Sequence, residues 1–194
     1  MRHGESTANA DGILSGWLNV PLTAVGIQQA RTVGLKLCGY PIQAAWSSDL
    51  QRAISTAELA LDVYAKNTGT KLSVQCSDAF RERNFGILQG RLKKELQQDG
   101  LSESLHAWKP LLEGLEGFQD LAQRVLPQMD YCTQYEHQIL FAHGGVIRLL
   151  HGLLLGLPPE KIAAYHIDNA TPIVVDSPQD GWSSLLPSSS RVDS

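Results

Sequence analysis

The sequence predicts an α/β fold: a three-layer sandwich with a mainly parallel central sheet and helices on both faces. Three observations point to it. Short runs with strand character alternate with longer runs of helical periodicity along the chain. Two of those strands, "IQAAWSS" and "QILFA", pass into a helix through a tight polar or glycine turn. The 194 residues are 43% hydrophobic and 19% charged, enough apolar material for one domain to bury a core. One domain is therefore expected over residues 1–194, with 177–194 a frayed tail.

From Thr23, "TAVGIQQARTVGLKLCGY" sets Ile27, Ala30, Gly34 and Leu37 on one helical face, with Thr23 as N-cap and Gly39 as the stop. "IQAAWSS" is a buried strand. It leads into "DLQRAISTAELALDVYAK", whose Leu50, Ala53, Ile54, Ala57, Leu61 and Tyr64 form an apolar stripe. "KLSVQC" alternates as a strand, and the polar stretch from Ser77 to Gly117 reads as loops and short helices. "FQDLAQRVLPQMDYC" returns to helical spacing, with a kink or break expected at Pro127. "QILFAHGG" is a strand meeting a Gly-Gly turn, "VIRLLHGLLLGLPPE" is an apolar helix closed by Gly156 and two prolines, and "TPIVVD" is a last strand.

Composition excludes several classes of function. No stretch reaches the roughly 18 apolar residues of a membrane span, and no secretory leader pattern is present, so a cytoplasmic protein is expected. A net charge of −4 argues against a nucleic-acid or anionic-membrane surface. Cys38, Cys76 and Cys132 are odd in number and lack metal-ligand or C-x-x-C spacing, which predicts reduced thiols packed as small hydrophobes. No H-E-x-x-H or comparable ligand set appears, so neither a metal nor another cofactor is expected.

The residues that carry chemistry lie at predicted strand ends, where open α/β sheets bind ligands. Arg2 and His3 open the chain, Arg52 stands in "SSDLQRAISTA", Glu82 in "FRERNFGILQG", and His143 in "AHGG" at a helix entrance. Alone, each has an ordinary reading: a chance tripeptide, a first-turn arginine, a solvated glutamate, a packed loop histidine. Together, two arginines, two histidines and a helix N-terminus suit a phosphate dianion, because guanidinium forks and first-turn amides match its oxygens. A neutral imidazole beside those cations can attack phosphorus. Glu82 is the acid available to protonate a leaving alkoxide, a role that favours partial burial or a neighbouring phosphate charge.

In its motifs the chain resembles the histidine phosphatase superfamily, the clan that includes cofactor-dependent phosphoglycerate mutases. Arg2-His3-Gly4-Glu5-Ser6, Asn9, the run from Gly16 to Ala30, "SSDLQRAISTA", "RERNFGILQG" and "AHGG" carry the resemblance, in order and across nearly the whole chain. It implies a phosphoglycerate mutase-like fold, a nucleophile at His3, phosphate-pocket roles for Arg2, Arg52 and His143, and an acid at Glu82. It also assigns Asn9, Ser15, Gly16 and Gly144 to positions lining phosphate and substrate. Two features depart from the pattern. Members begin with a short hydrophobic strand ending at the Arg-His pair, whereas only Met1 precedes Arg2, so about five to seven aliphatic and β-branched residues are expected upstream. The stretch from Gly90 to Gly117 is short for a mutase, and Glu116-Gly117-Phe118 stands where Gly-Glu-Ser is usual.

The expected activity is thus metal-independent hydrolysis of a small phosphorylated metabolite through a phosphohistidine. A phosphoglycerate mutase and a non-catalytic phosphate-binding regulatory protein are the alternatives. Oligomeric state is not legible in the sequence. Trp46, Trp108 and Trp182 are expected to pack, with Trp17 shaping the rim of the site, while His106, His137, His151 and His166 belong to surface, core or rim.

Overall fold

The computed structural model describes residues 1–164 and 167–187. Three strands, β1 (Ala44–Ser48), β2 (Val74–Ser77) and β3 (Gln138–Phe141), form a parallel sheet in the order β2-β1-β3. The α-helices are α1 (Thr7–Ala10), α2 (Ala24–Leu37), α3 (Gln51–Thr68), α4 (Lys93–Gln98), α5 (Phe118–Cys132), α6 (Gly144–Leu154) and α7 (Pro159–Ile162). β1 is buried along its whole length, as a central strand covered on both faces must be. Its alternation sorts the core. Ala45 faces one way, with Ile139 and Phe141, onto Val33 and Leu37 of α2 and Ala57, Ala60 and Leu61 of α3. Trp46 faces the other, with Ala142, onto Leu121, Val125 and Leu126 of α5 and Val146, Leu149 and Leu150 of α6. These are the expected three layers.

Local chemistry accounts for the elements that hold the site. Thr23 caps α2 by accepting the Gly26 N–H at 3.0 Å, as the sequence indicates. α6 starts directly after β3, with His143 extended at its N-cap. α5 runs on through Pro127, contrary to the expected break. The carbonyl that loses its helical partner there belongs to Gln123, which like Pro127 is exposed, so water can serve it.

Another expectation is corrected. "TPIVVD" forms no strand: residues 172–176 run beside a cavity of about 610 Å³, with β3 residues Gln138, Ile139 and Leu140 also in its lining. A strand needs a ladder partner, and the space between offers none. Within the expected tail, Trp182–Leu185 form a 3-10 turn. Trp182 is buried, its N–H and that of Ser183 donating to the Asp130 carboxylate of α5 at 2.5 and 3.1 Å. The remainder of the expected tail, 188–194, and His166 lie outside the described residues. Of the thiols, Cys132 is buried as expected but Cys76 is exposed on edge strand β2. Among the described residues no helix is long and apolar enough to cross a membrane.

Candidate active site

The opening residues enter the structure by adding to the free edge of β3. Ala142 N–H donates to Met1 O and His3 N–H to Ala142 O, both at 2.9 Å, giving a parallel bridge between Arg2 and Ala142. The bridge places Arg2 and His3 beside His143 at the carboxyl ends of the strands. Arg52, in the first turn of α3, reaches across the end of β1 to the same point.

His3 is buried and its tautomer is fixed by its partners. Its Nδ1 lies 2.6 Å from Gly4 O, which only accepts, so Nδ1 carries the hydrogen. Nε2 is left with its lone pair, facing Arg52 Nε at 3.2 Å. Burial, and then the Arg52 charge, hold the His3 imidazole well below its ordinary 6.5, which keeps it neutral. The His143 ring lies 5.1 Å from that of His3, and burial followed by Arg52 drives it down in the same way.

Arg52 is wholly buried, its Nη1 and Nη2 donating to Leu18 O at 2.9 Å and Gly16 O at 2.7 Å. Burial lowers it to about 10, which leaves it charged at neutral pH. Arg2 Nη1 donates to Ile167 O at 2.7 Å. Its Nε and both ring nitrogens of His143 are buried with no hydrogen-bond partner. Unpartnered buried groups of this kind are costly, and an oxyanion would satisfy the Arg2 Nε–H and the one N–H of a neutral His143.

Glu82 closes the other side. Its carboxylate accepts the Arg83 N–H at 2.9 Å and the Gly145 N–H at 3.1 and 3.2 Å, so it sits at the N-terminus of α6. Gly144 lies between the Arg2 and Glu82 side chains. Arg2, His3, Arg52, Glu82, His143 and Gly144 thus converge. Gly16, with positive φ, holds Arg52 through its carbonyl, and Ser15 precedes it in the same loop. Asn9 lies one step further out. Its Oδ1 accepts from Ser6 N at 3.1 Å and from Asn169 Nδ2 at 3.4 Å, and Asn169 donates in turn to His3 O at 2.8 Å.

Further residues support the site, and Thr56, Arg124 and Lys93 among them were given no role by the sequence. Thr56 of α3 accepts the Gly4 N–H at 3.0 Å and donates to Arg52 O at 2.7 Å, tying the two arms together. Arg124 binds the Glu116 carboxylate at 2.9 and 2.8 Å and donates to Glu82 O, Arg81 O and Ala79 O. Trp17, expected at the rim, donates its indole N–H to Glu82 O at 2.6 Å between the Arg81 and Arg124 guanidiniums. Burial, and then the Arg2 charge, lower the Lys93 ammonium below its ordinary value, with Glu82 acting the other way. Among the described residues no three His, Cys, Asp or Glu side chains are grouped to hold a metal ion.

The model of the histidine phosphatase superfamily (branch 1) matches residues 1–189. The chain belongs to that family. It is 33% identical over 180 residues, 88% of this chain and 82% of the other, to a 2,3-bisphosphoglycerate-dependent phosphoglycerate mutase of Cytophaga hutchinsonii. Over 184 residues, 91% of this chain and 87% of the other, it is 32% identical to the adenosylcobalamin/alpha-ribazole phosphatase of Escherichia coli. The fold superposes on the crystal structure of a putative alpha-ribazole-5'-P phosphatase from E. coli with a TM-score of 0.74 and 32% identity, covering 88% of this chain and 84% of the other. A mycobacterial glucosyl-3-phosphoglycerate phosphatase in complex with VO3 gives a TM-score of 0.75 at 28% identity, covering 87% of each chain. Among histidine phosphatases this chain is therefore similar both to phosphatases and to mutases, and it is an enzyme of the phosphatase type.

Proposed function

We propose that the protein hydrolyses a small phosphorylated metabolite, without a metal ion, through a phosphohistidine at His3. One observation carries the reading: a neutral, tautomer-fixed His3 presents Nε2 among charged and unpartnered donors of Arg2, Arg52 and His143. In the first half-reaction the Nε2 lone pair forms the N–P bond while the P–O bond to the leaving alkoxide breaks. The Glu82 carboxyl gives that oxygen its proton. Arg52 Nε–H, which donates to His3 Nε2 in the free site, turns to a phosphoryl oxygen as the lone pair is used. Arg2 Nε and a His143 N–H take the other oxygens. In the second half water attacks phosphorus, the N–P electrons return to Nε2, Glu82 takes the proton and phosphate leaves.

The mutase relatives favour a second reading, in which the phosphoryl group passes to another hydroxyl of the substrate instead of to water. The short stretch after Gly90, whose one α-helix is the six-residue α4, favours water. A single experiment tests both. With labelled 3-phosphoglycerate, a bisphosphorylated primer and a chelator, an acid-free quench is expected to trap label on His3. Phosphate should appear faster than the 2-phosphate isomer. His3→Ala should lose label and turnover together; turnover that persists overturns the nucleophile, and isomerisation outpacing hydrolysis makes the mutase reading the correct one. Phosphate binding with neither label nor turnover in the wild type would favour a non-catalytic phosphate-binding protein.

A further inference from the structure

We propose that Gly145 is a positioning residue for Glu82: its amide and its lack of a side chain together hold the carboxyl at the N-terminus of α6. The proposal rests on the reading of Glu82 as the acid.

The first turn of an α-helix leaves its amides without intrahelical partners. α6 begins at Gly144 behind His143, whose side chain provides no cap, so the Gly145 N–H must find another acceptor. It finds Glu82, whose two oxygens lie 3.1 and 3.2 Å from it while one also accepts the Arg83 N–H at 2.9 Å. Two backbone amides from distant parts of the chain thus fix one carboxyl beside Arg2. The approach requires a glycine. A methyl group on Gly145 would stand 2.2 Å from Glu82 Oε1 and 3.4 Å from the nearest Arg83 side-chain atom. The contact is with the far end of a flexible side chain, not with backbone, so the carboxyl would move and the fold would stay. Gly145 is not among the glycines with positive φ, and alanine suits a helix better than glycine. Gly145→Ala should therefore displace the acid at little cost to stability.

The experiment compares an alkyl phosphate, whose leaving oxygen needs a proton, with p-nitrophenyl phosphate, whose leaving group needs little. Gly145→Ala is expected to slow the alkyl ester at least tenfold, and by at least fivefold more than the p-nitrophenyl ester. Added to Glu82→Gln, it should change the alkyl rate less than twofold further. Equal losses on both esters would put the Gly145 amide to work on the phosphoryl group and overturn the proposal; so would losses that multiply in the double variant. A second measurement does not depend on how Gly145→Ala folds. Amide hydrogen exchange at Gly145 should speed at least tenfold in Glu82→Ala, and unchanged exchange would overturn the anchor. Should Glu82→Gln itself slow both esters alike, the acid role falls, and exchange still reports whether the amide holds the carboxyl.

Discussion

Two imidazoles that ordinarily titrate near 6.5 lie buried against each other and against Arg52, and both are held well below that value. The consequence for stability has a definite sign. Above pH 6.5 they are neutral in the folded and the unfolded chain alike, and nothing is lost. Below it the unfolded chain takes up two protons that the folded site refuses. Stability then falls as pH drops toward the folded values, by up to about 1.4 kcal/mol per pH unit for each histidine. In phosphate-free buffer the Tm should decline from pH 6.5 downward, and His143→Gln should make that decline shallower; parallel slopes would remove His143 from the effect. These two residues were legible in the sequence, as were Arg2, Arg52 and Glu82, because each stands in a short local motif at a strand end. Thr56, although inside "SSDLQRAISTA", carried no role of its own, and Asn169 and Arg124 were not legible. Their partners are Gly4, His3 and Glu82, each more than forty residues away, and no local pattern announces a contact that only the fold creates.

Among the elements, α2 meets the loop that follows His3 at backbone distance. A methyl group on Gly26 would lie 2.0 Å from Glu5 O, and one on Gly4 would lie 2.5 Å from Gly26 O. Here the obstacle is main chain, which cannot step aside. Gly26→Ala should cost about 1–3 kcal/mol by overpacking. That would lower Tm by several degrees at about 2–4 °C per kcal/mol for a chain of this size. It should also reduce turnover, since the displaced loop carries the Gly4 carbonyl that fixes His3. Gly39, where an added methyl would meet nothing nearer than Lys36 O at 4.0 Å, is the control, and Gly39→Ala should leave Tm within a degree or two. Equal effects of the two variants would show that the close approach does not matter. α2, α3, α5 and α6 could be read from periodicity because each buries one stripe against the sheet. "TPIVVD" reads as a strand for the same reason, its apolar and β-branched residues, yet composition cannot supply the neighbour that a ladder requires.

On the scale of the whole molecule, the cavity between β3 and residues 172–177 runs along one edge of the sheet. Leu140 O accepts the Met1 amine at 2.6 Å and Ala142 exchanges bonds with Met1 and His3, so the even-numbered residues of this strand face the gap. Gln138 N–H and C=O and Leu140 N–H continue the same row. Leu37 and Ile42 line the space on one side of the sheet, and Ile147 and Leu150 on the other. An interior strand laid there would want aliphatic residues on both faces. Adding five to seven aliphatic and β-branched residues ahead of Met1 should fill it. With about 1.5–3 kcal/mol for each fully buried side chain, three of them should raise Tm by roughly 10 °C or more and speed turnover by steadying Arg2 and His3. An extension of equal length made of Gly and Ser should do neither. Equal melting of the two would show that the edge accepts no strand.

The unpartnered Arg2 Nε and His143 nitrogens have a kinetic consequence. Donors placed to receive a phosphoryl group cannot distinguish one still attached to carbon from one that has been set free. Inorganic phosphate, the end product of the proposed reaction, should satisfy the same buried groups and compete with the substrate for them. On the proposed reaction, added phosphate should therefore inhibit turnover competitively, raising KM without lowering kcat, and progress curves should slow as product accumulates; a progress curve insensitive to added phosphate would overturn this.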